Sequence, residues 1–238
     1  MATTNLRDRV VVVTGGARGG LARRPRQLRA GWGAKVAIGD VDVEQSERTA
    51  AAIGCWWGGE VDVTDRGAAS RVFLDSLTDA LGPLDVLVNN AGIMPVTPAV
   101  DESAESIQRQ LAINVAGGVI FGTQLAMERM GPRHSGHVVN VASAAARMGF
   151  GGVSTYTATK FAVAGFFTEA VALESAASGI TFTTVYPPGM VRTELSAGLS
   201  DHWLLRTCAP RGRRRRDRPR SAAWPAIGVR SAPARPAD

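Results

Sequence analysis

The stretch Val10-Val11-Val12-Val13-Thr14-Gly15-Gly16-Ala17-Arg18-Gly19-Gly20 decides the fold class. Successive strand residues point to opposite faces, so an unbroken run of β-branched residues reads as a strand buried on both sides. The glycines that follow mark a turn in which the backbone is not screened by side chains. A strand of this kind needs cover on two faces, and the remaining chain supplies it. Short apolar runs recur at 36–38, 84–88, 138–141 and 180–185, separated by longer segments of helical period at 43–53, 68–81, 103–130 and 154–177. Strands alternating with helices predict an α/β fold, a single doubly wound parallel β-sheet with helices on both faces. A strand near 60–63 is assigned by this rhythm rather than by composition, and Cys55-Trp56-Trp57 before it is odd for a buried edge.

At 238 residues, 45% of them hydrophobic, the chain fits one large domain. No run approaches the roughly 20 apolar residues that span a bilayer. The opening MATTNLRDR lacks the apolar core of a secretion signal. Cys55 and Cys208 form no framework, and His134, His137 and His202 have no metal-like neighbours, so no metal is expected. A reduced, cytoplasmic protein without membrane segments is the expectation.

The net charge of +6 is unevenly placed. Residues 202–238 hold ten Arg and two Asp, which leaves the rest of the chain with a net of −2. The division is therefore a nearly neutral folded body at 1–200 and an Arg/Pro/Ala-rich, disordered tail at 201–238. Like charges and prolines both oppose packing there. A solvated tail is favoured over a nucleic-acid contact. A third reading is sharper: GC-rich coding DNA translated out of frame gives this composition.

Outward from the glycines, the next strand-like run ends at Gly39-Asp40, twenty-five residues after Gly15. A glycine turn between strand and helix lets amides approach a pyrophosphate at the positive helix end. An acidic residue at that strand end suits the ribose hydroxyls of NAD and repels a 2′-phosphate. Arg18 pulls the other way, because a base in the loop pairs with such a phosphate; NAD is favoured over NADP. Gly15, Arg18, Gly19, Gly20 and Asp40 are thus candidate cofactor contacts. Asn90, Ala91 and Gly92 join them as small residues after the fourth strand. Asp62 and Val63, closing the third, place a carboxylate where an adenine amino group donates.

Farther along, Tyr156 and Lys160 stand four residues apart in YTATK at the start of a helical segment, with Ser143 thirteen residues upstream of the tyrosine. That spacing puts both side chains on one helix face. A cation beside a phenol favours the phenolate, and a phenol of lowered pKa serves general acid–base chemistry.

Taken together, TGGARGG, Asp40, Asp62-Val63, NNAG, Asn114, Ser143, YTATK and Pro188-Gly189 resemble, in order and approximate spacing, the short-chain dehydrogenase/reductase family. The likeness covers about residues 6–200. It implies a Rossmann-type domain with a seven-stranded parallel sheet. It also implies a catalytic tetrad of Asn114, Ser143, Tyr156 and Lys160. In that tetrad Tyr156 exchanges a proton with the substrate oxygen, Ser143 holds that oxygen, Lys160 lowers the phenol pKa and binds the nicotinamide ribose, and the Asn114 side chain holds a relay water. Tyr156, Lys160, Pro188, Gly189, Val191 and Thr193 would border the nicotinamide. The implied partner is a small, hydrophobic alcohol or ketone, and the implied assembly a homotetramer or dimer.

The chain departs from the family pattern TGxxxGxG, because Gly19 is followed by Gly20 and then Leu21. Pro25 falls inside the first helix, at a cost of about 3 kcal/mol. Weakened cofactor binding is expected from both, and a brief frame slip would explain them. The lid, last strand and much of the interface that the family draws from beyond Thr193 are not legible past about Ser200. An NAD-dependent alcohol dehydrogenase is the leading expectation. An NADPH-dependent carbonyl reductase is the runner-up, and an inert Rossmann protein with impaired cofactor binding is a third reading.

Overall fold

A computed structural model describes residues 6–17, 33–67 and 69–187. Within them lies a six-stranded, wholly parallel sheet in the order β3-β2-β1-β4-β5-β6. Its strands are β1 (Val10–Thr14), β2 (Lys35–Asp40), β3 (Trp57–Glu60), β4 (Leu84–Asn89), β5 (Gly136–Val141) and β6 (Ile180–Val185). The doubly wound fold predicted from the sequence is the fold observed. The seventh strand that the family likeness implies falls outside the described residues.

The central strand shows why the sheet must be covered twice. Val10 and Val12 join the larger core cluster with Leu74, Leu77, Leu87 and Leu125, whereas Val11 and Val13 join separate clusters with Val36 and Ile38. All four valines are buried. Each contributes roughly 1.5–3 kcal/mol by leaving water. The strand order reverses between β1 and β4, and the crevice outside their carboxyl ends is where an open α/β sheet takes its ligand.

Six α-helices are described. They are α1 (Val43–Ile53), α2 (Ala69–Leu81), α3 (Ala104–Leu111), α4 (Gly122–Met130), α5 (Ser154–Phe161) and α6 (Thr168–Glu174). The side chain of Asp42 caps α1 by accepting from the Gln45 amide, and Gly54, in the left-handed region, ends it. Ser103 caps α3 in the same manner. Two long segments read as single helices from their period are each interrupted by a π-helical stretch, Ala112–Phe121 and Ala162–Phe167. The first joins α3 to α4, and the helical run Ala104–Arg133 is long and apolar enough to cross a membrane by length and composition. Here it lies against the sheet, with Leu125, Ala126 and Met130 in the main core. The run is not continuously apolar, since it carries Glu105, Arg109, Glu128 and Arg129.

The third strand also departs from expectation. It spans Trp57–Glu60 rather than 60–63, paired so that Gly58 faces Ile38 and Gly59 faces Gly39. The odd tryptophans divide their duties. Trp57 packs on Phe73, ring centroids 5.2 Å apart, while Trp56 is exposed. Asp62 and Val63 therefore follow the strand in a turn instead of closing it.

The π segment comes unusually close to that turn. A Cβ on Gly117 would stand 2.4 Å from the carbonyl oxygen of Val63, which is backbone and cannot swing aside. Gly117→Ala is expected to destabilise the fold by about 1–3 kcal/mol through overpacking. Urea unfolding of the variant beside the parent chain measures it; an unchanged midpoint would show that the segment is free to move away.

Candidate active site

The turn after β1 is built by the end of β4. Gly15 adopts φ +67°, and a Cβ there would lie 2.5 Å from Ala91 Cα, so glycine is required both by conformation and by space. The Asn90 side-chain amide donates to the carbonyls of Thr14 and Gly15, both at 2.9 Å. In return, Thr14 Oγ1 accepts from the amides of Asn90 and Ala91 at 3.2 and 3.3 Å. Asp40, at the end of β2, reaches the same turn, its Oδ2 accepting from the Ala17 amide at 3.0 Å and its Oδ1 from the Asp42 amide at 3.3 Å. Gly15, Asp40, Asn90 and Ala91 thus converge at the switch point.

Asp62 is turned to local work. Its Oδ1 accepts from the backbone amide and the hydroxyl of Thr64 at 2.9 and 2.7 Å, while Val63 is buried. Arg18, Gly19, Gly20, Leu21, Pro25, Pro188, Gly189, Val191 and Thr193 lie outside the described residues.

The second group of candidates gathers between β5 and α5. Ser143, just past β5, caps a short turn by accepting from the Ala145 amide at 3.1 Å, and its hydroxyl is near enough to the Tyr156 phenol to favour the phenolate. Tyr156 is buried in the first turn of α5, packed with Ala145 and Val153 against Met94, Val96 and Phe150. One turn on, the Lys160 ammonium lies 5.6 Å from the tyrosine ring centroid and donates to the Val141 carbonyl at 3.0 Å. A Cβ on Gly92 would stand 3.6 Å from that Nζ and 3.2 Å from Asn114 Oδ1. Ser143, Tyr156, Lys160, Gly92 and Asn114 therefore share one neighbourhood.

Its electrostatics differ from the expectation. Burial raises the Tyr156 pKa above the ordinary value of 10.0, and the neighbouring Ser143 hydroxyl pulls it partly back. Burial also lowers the Lys160 pKa to about 8. In this geometry burial outweighs what the lysine contributes to the phenolate, and the ammonium itself donates to the Val141 carbonyl.

Asn114 is wholly buried in the π segment. Its Oδ1 accepts from the Ile93 amide at 2.8 Å, and its Nδ2 donates to the Ile93 carbonyl at 2.9 Å and to Thr159 Oγ1 at 3.1 Å. Both amide hydrogens are committed, so the side chain acts as a brace between the loop after β4 and α5 rather than as the donor to a relay water. Among the described residues no three His, Cys, Asp or Glu side chains gather as metal ligands.

The short chain dehydrogenase family profile matches residues 9–203. The chain belongs to the short-chain dehydrogenase family. It is 34% identical over 212 residues to a sorbitol dehydrogenase of Cereibacter sphaeroides, covering 89% of this chain and 81% of that one. To a cyclopentanol dehydrogenase of Comamonas sp. it is 36% identical over 202 residues, covering 82% and 77%. A solved structure from Novosphingobium aromaticivorans, described as a short-chain dehydrogenase, superposes with TM-score 0.70 at 30% identity, over 76% of this chain and 70% of that one. The family resemblance read from the motifs is thereby shown, and the protein is an oxidoreductase of the NAD(P)-binding Rossmann class.

Several residues of the site were not singled out from their motifs or runs. Thr14 opens TGGARGG without being read as a contact, yet it locks the turn. Asn89, Asn140 and Thr168 form a buried polar spine beneath the site, with Asn89 Nδ2 donating to Asn140 Oδ1 at 2.8 Å and Asn140 Nδ2 to Thr168 Oγ1 at 3.0 Å. A polar residue at the end of one apolar strand, Asn89, and inside another, Asn140, was the available signal.

The lowered pKa of Lys160 carries a stability consequence. Between about 8 and 10.5 the unfolded chain holds a proton on this lysine that the folded chain has given up, so the group's contribution improves as pH rises through that window. Lys160→Met is expected to raise stability by roughly 1–3 kcal/mol at neutral pH, an advantage that narrows toward pH 10.5. Urea titrations of both chains at several pH values decide it, and a pH-independent difference would contradict the assignment.

Proposed function

We propose that the chain interconverts a secondary alcohol and a ketone with NAD, Tyr156 exchanging the proton and Ser143 holding the reacting oxygen. The observation that carries this reading is the buried phenol near Ser143, with the Lys160 ammonium 5.6 Å from its ring, beside a sheet switch point. The described residues fit a dinucleotide. A side chain at Gly15 would fill the space beside Ala91, and the Asp40 carboxylate stands at the turn, where it favours ribose hydroxyls over a 2′-phosphate. Gly15, Asp40, Asn90, Ala91 and Gly92 would hold the nucleotide on this side, together with Lys160. When bound, the nicotinamide supplies or accepts the hydride.

The protein's own part is proton control. In ketone reduction the phenol must begin protonated, which is the state that burial favours. Tyr156 gives its proton to the carbonyl oxygen as that oxygen gains electron density, and the Ser143 hydroxyl donates to the same atom. In alcohol oxidation the phenol must first lose that proton, so this direction gains with rising pH. Lys160 stays cationic below about 8 and supports the phenolate that reduction leaves behind. The wall around the phenol is apolar, formed by Ala145, Val153, Met94, Val96 and Phe150. With a cyclopentanol dehydrogenase among the relatives, a cyclic or otherwise apolar secondary alcohol is the substrate class it fits best.

Tyr156→Phe is expected to lower kcat by roughly a hundredfold or more while NAD affinity stays nearly unchanged. Steady-state absorbance of the reduced nicotinamide and calorimetric binding check the two halves, and retained turnover would remove Tyr156 from the chemistry. Separately, kcat for oxidation alone should climb as pH rises toward the phenol's raised pKa. An oxidation kcat that stays flat above neutral pH would count against that titration.

A further inference from the structure

Helix α5 opens without a side-chain cap, since its N-cap position is Val153. Its first turn is anchored instead by Thr155, whose hydroxyl donates to Glu102 Oε2 at 2.6 Å. The other oxygen of that carboxylate accepts from Ser106 Oγ at 3.0 Å and from the amide of Gln110, which is fully buried. One half-buried carboxylate thus collects donors from α3 and from α5. It lies by the amino end of α5, where negative charge is favoured by the exposed amides and the helix dipole. A second pin lies one turn later, where Thr159 Oγ1 donates to the Tyr156 carbonyl at 2.7 Å and accepts from Asn114. Thr155 and Thr159 tie α5 to the preceding helical unit. Tyr156 and Lys160, each one residue further on, meet Ser143 and Val141 instead.

We propose that Glu102, acting through Thr155, is a positioning residue that sets the Tyr156 phenol against Ser143. Its effect on turnover rests on the acid–base reading of Tyr156, but its effect on the ring does not. A carboxylate used only to fill space would be a costly choice, because burying a charge is unfavourable unless donors surround it. The convergence of Thr155, Ser106 and Gln110 gives it a structural task at the residue next to the phenol.

The full chain has two tyrosines. In a Tyr186→Phe background the tyrosinate absorbance therefore reports Tyr156 alone, with the Lys160 ammonium as the charged group against its ring. Glu102→Ala and Thr155→Val are each expected to lower the midpoint of that titration toward an ordinary tyrosine as the loosened ring meets water. Glu102→Gln, which keeps partners for Ser106, Gln110 and Thr155, should leave it in place. In turnover, both disruptive variants should lose roughly ten- to a hundredfold in kcat with KM and nucleotide Kd little changed, and their combination should lose no more than either alone. Thr155→Val is close in size to the residue it replaces, which guards against a result due to misfolding. An unmoved midpoint in both single variants overturns the proposal. A moved midpoint with unchanged kcat upholds the positioning and overturns the acid–base role of Tyr156.

Discussion

Lys160 is buried at the junction of β5 and α5, and its ammonium donates to the carbonyl of Val141, the last residue of that strand. Two residues later the chain presents Ser143, and one helical turn before the lysine stands Tyr156. This single charged hydrogen bond therefore fixes how the strand end meets the helix, and with it the distance over which serine and phenol interact. The cost is visible in the lysine's lowered pKa. A cation held in so dry a place is tolerated because a carbonyl faces it and because its position has chemical value.

The same dryness acts on the phenol in the opposite sense. Burial disfavours every charged form, so it moves the pKa of the phenol up and that of the lysine down. At neutral pH both protons stay in place, but the lysine's is held less firmly than in water and the phenol's more firmly. The charge on each atom is then set by its surroundings, and the arrival of a polar group near either one can shift the balance.

How much of this was legible in the sequence depends on how local each signal is. The central strand is readable because four β-branched residues stand together. The Tyr156–Lys160 pair is readable because both lie on one helix, and Ser143 because it ends an apolar run. The third strand is displaced from its expected place because Gly58 and Gly59 carry no pattern, while Trp57 buries itself on Phe73 from a strand at the sheet edge. The π segments are hidden because an apolar helix keeps its apolar character through the change in winding. The brace made by Asn114 and the link from Glu102 to Thr155 join residues 45 and 53 positions apart, so no window of sequence contains both ends.

The π-helical stretches interrupt both long helices that carry the site, Ala112–Phe121 and Ala162–Phe167. Each holds more chain per turn than the regular helix on either side, so it acts as a rotary joint that sets the angular phase of the helix beyond it. One residue corresponds to about 100° about the axis of a regular helix. In the first helix, this joint lets Asn114 look toward Ile93 while Leu125 and Met130 still look into the core. Trimming a single residue there would demand a compensating twist, so the length of these segments is as tightly bound to the site as the identity of any side chain in it.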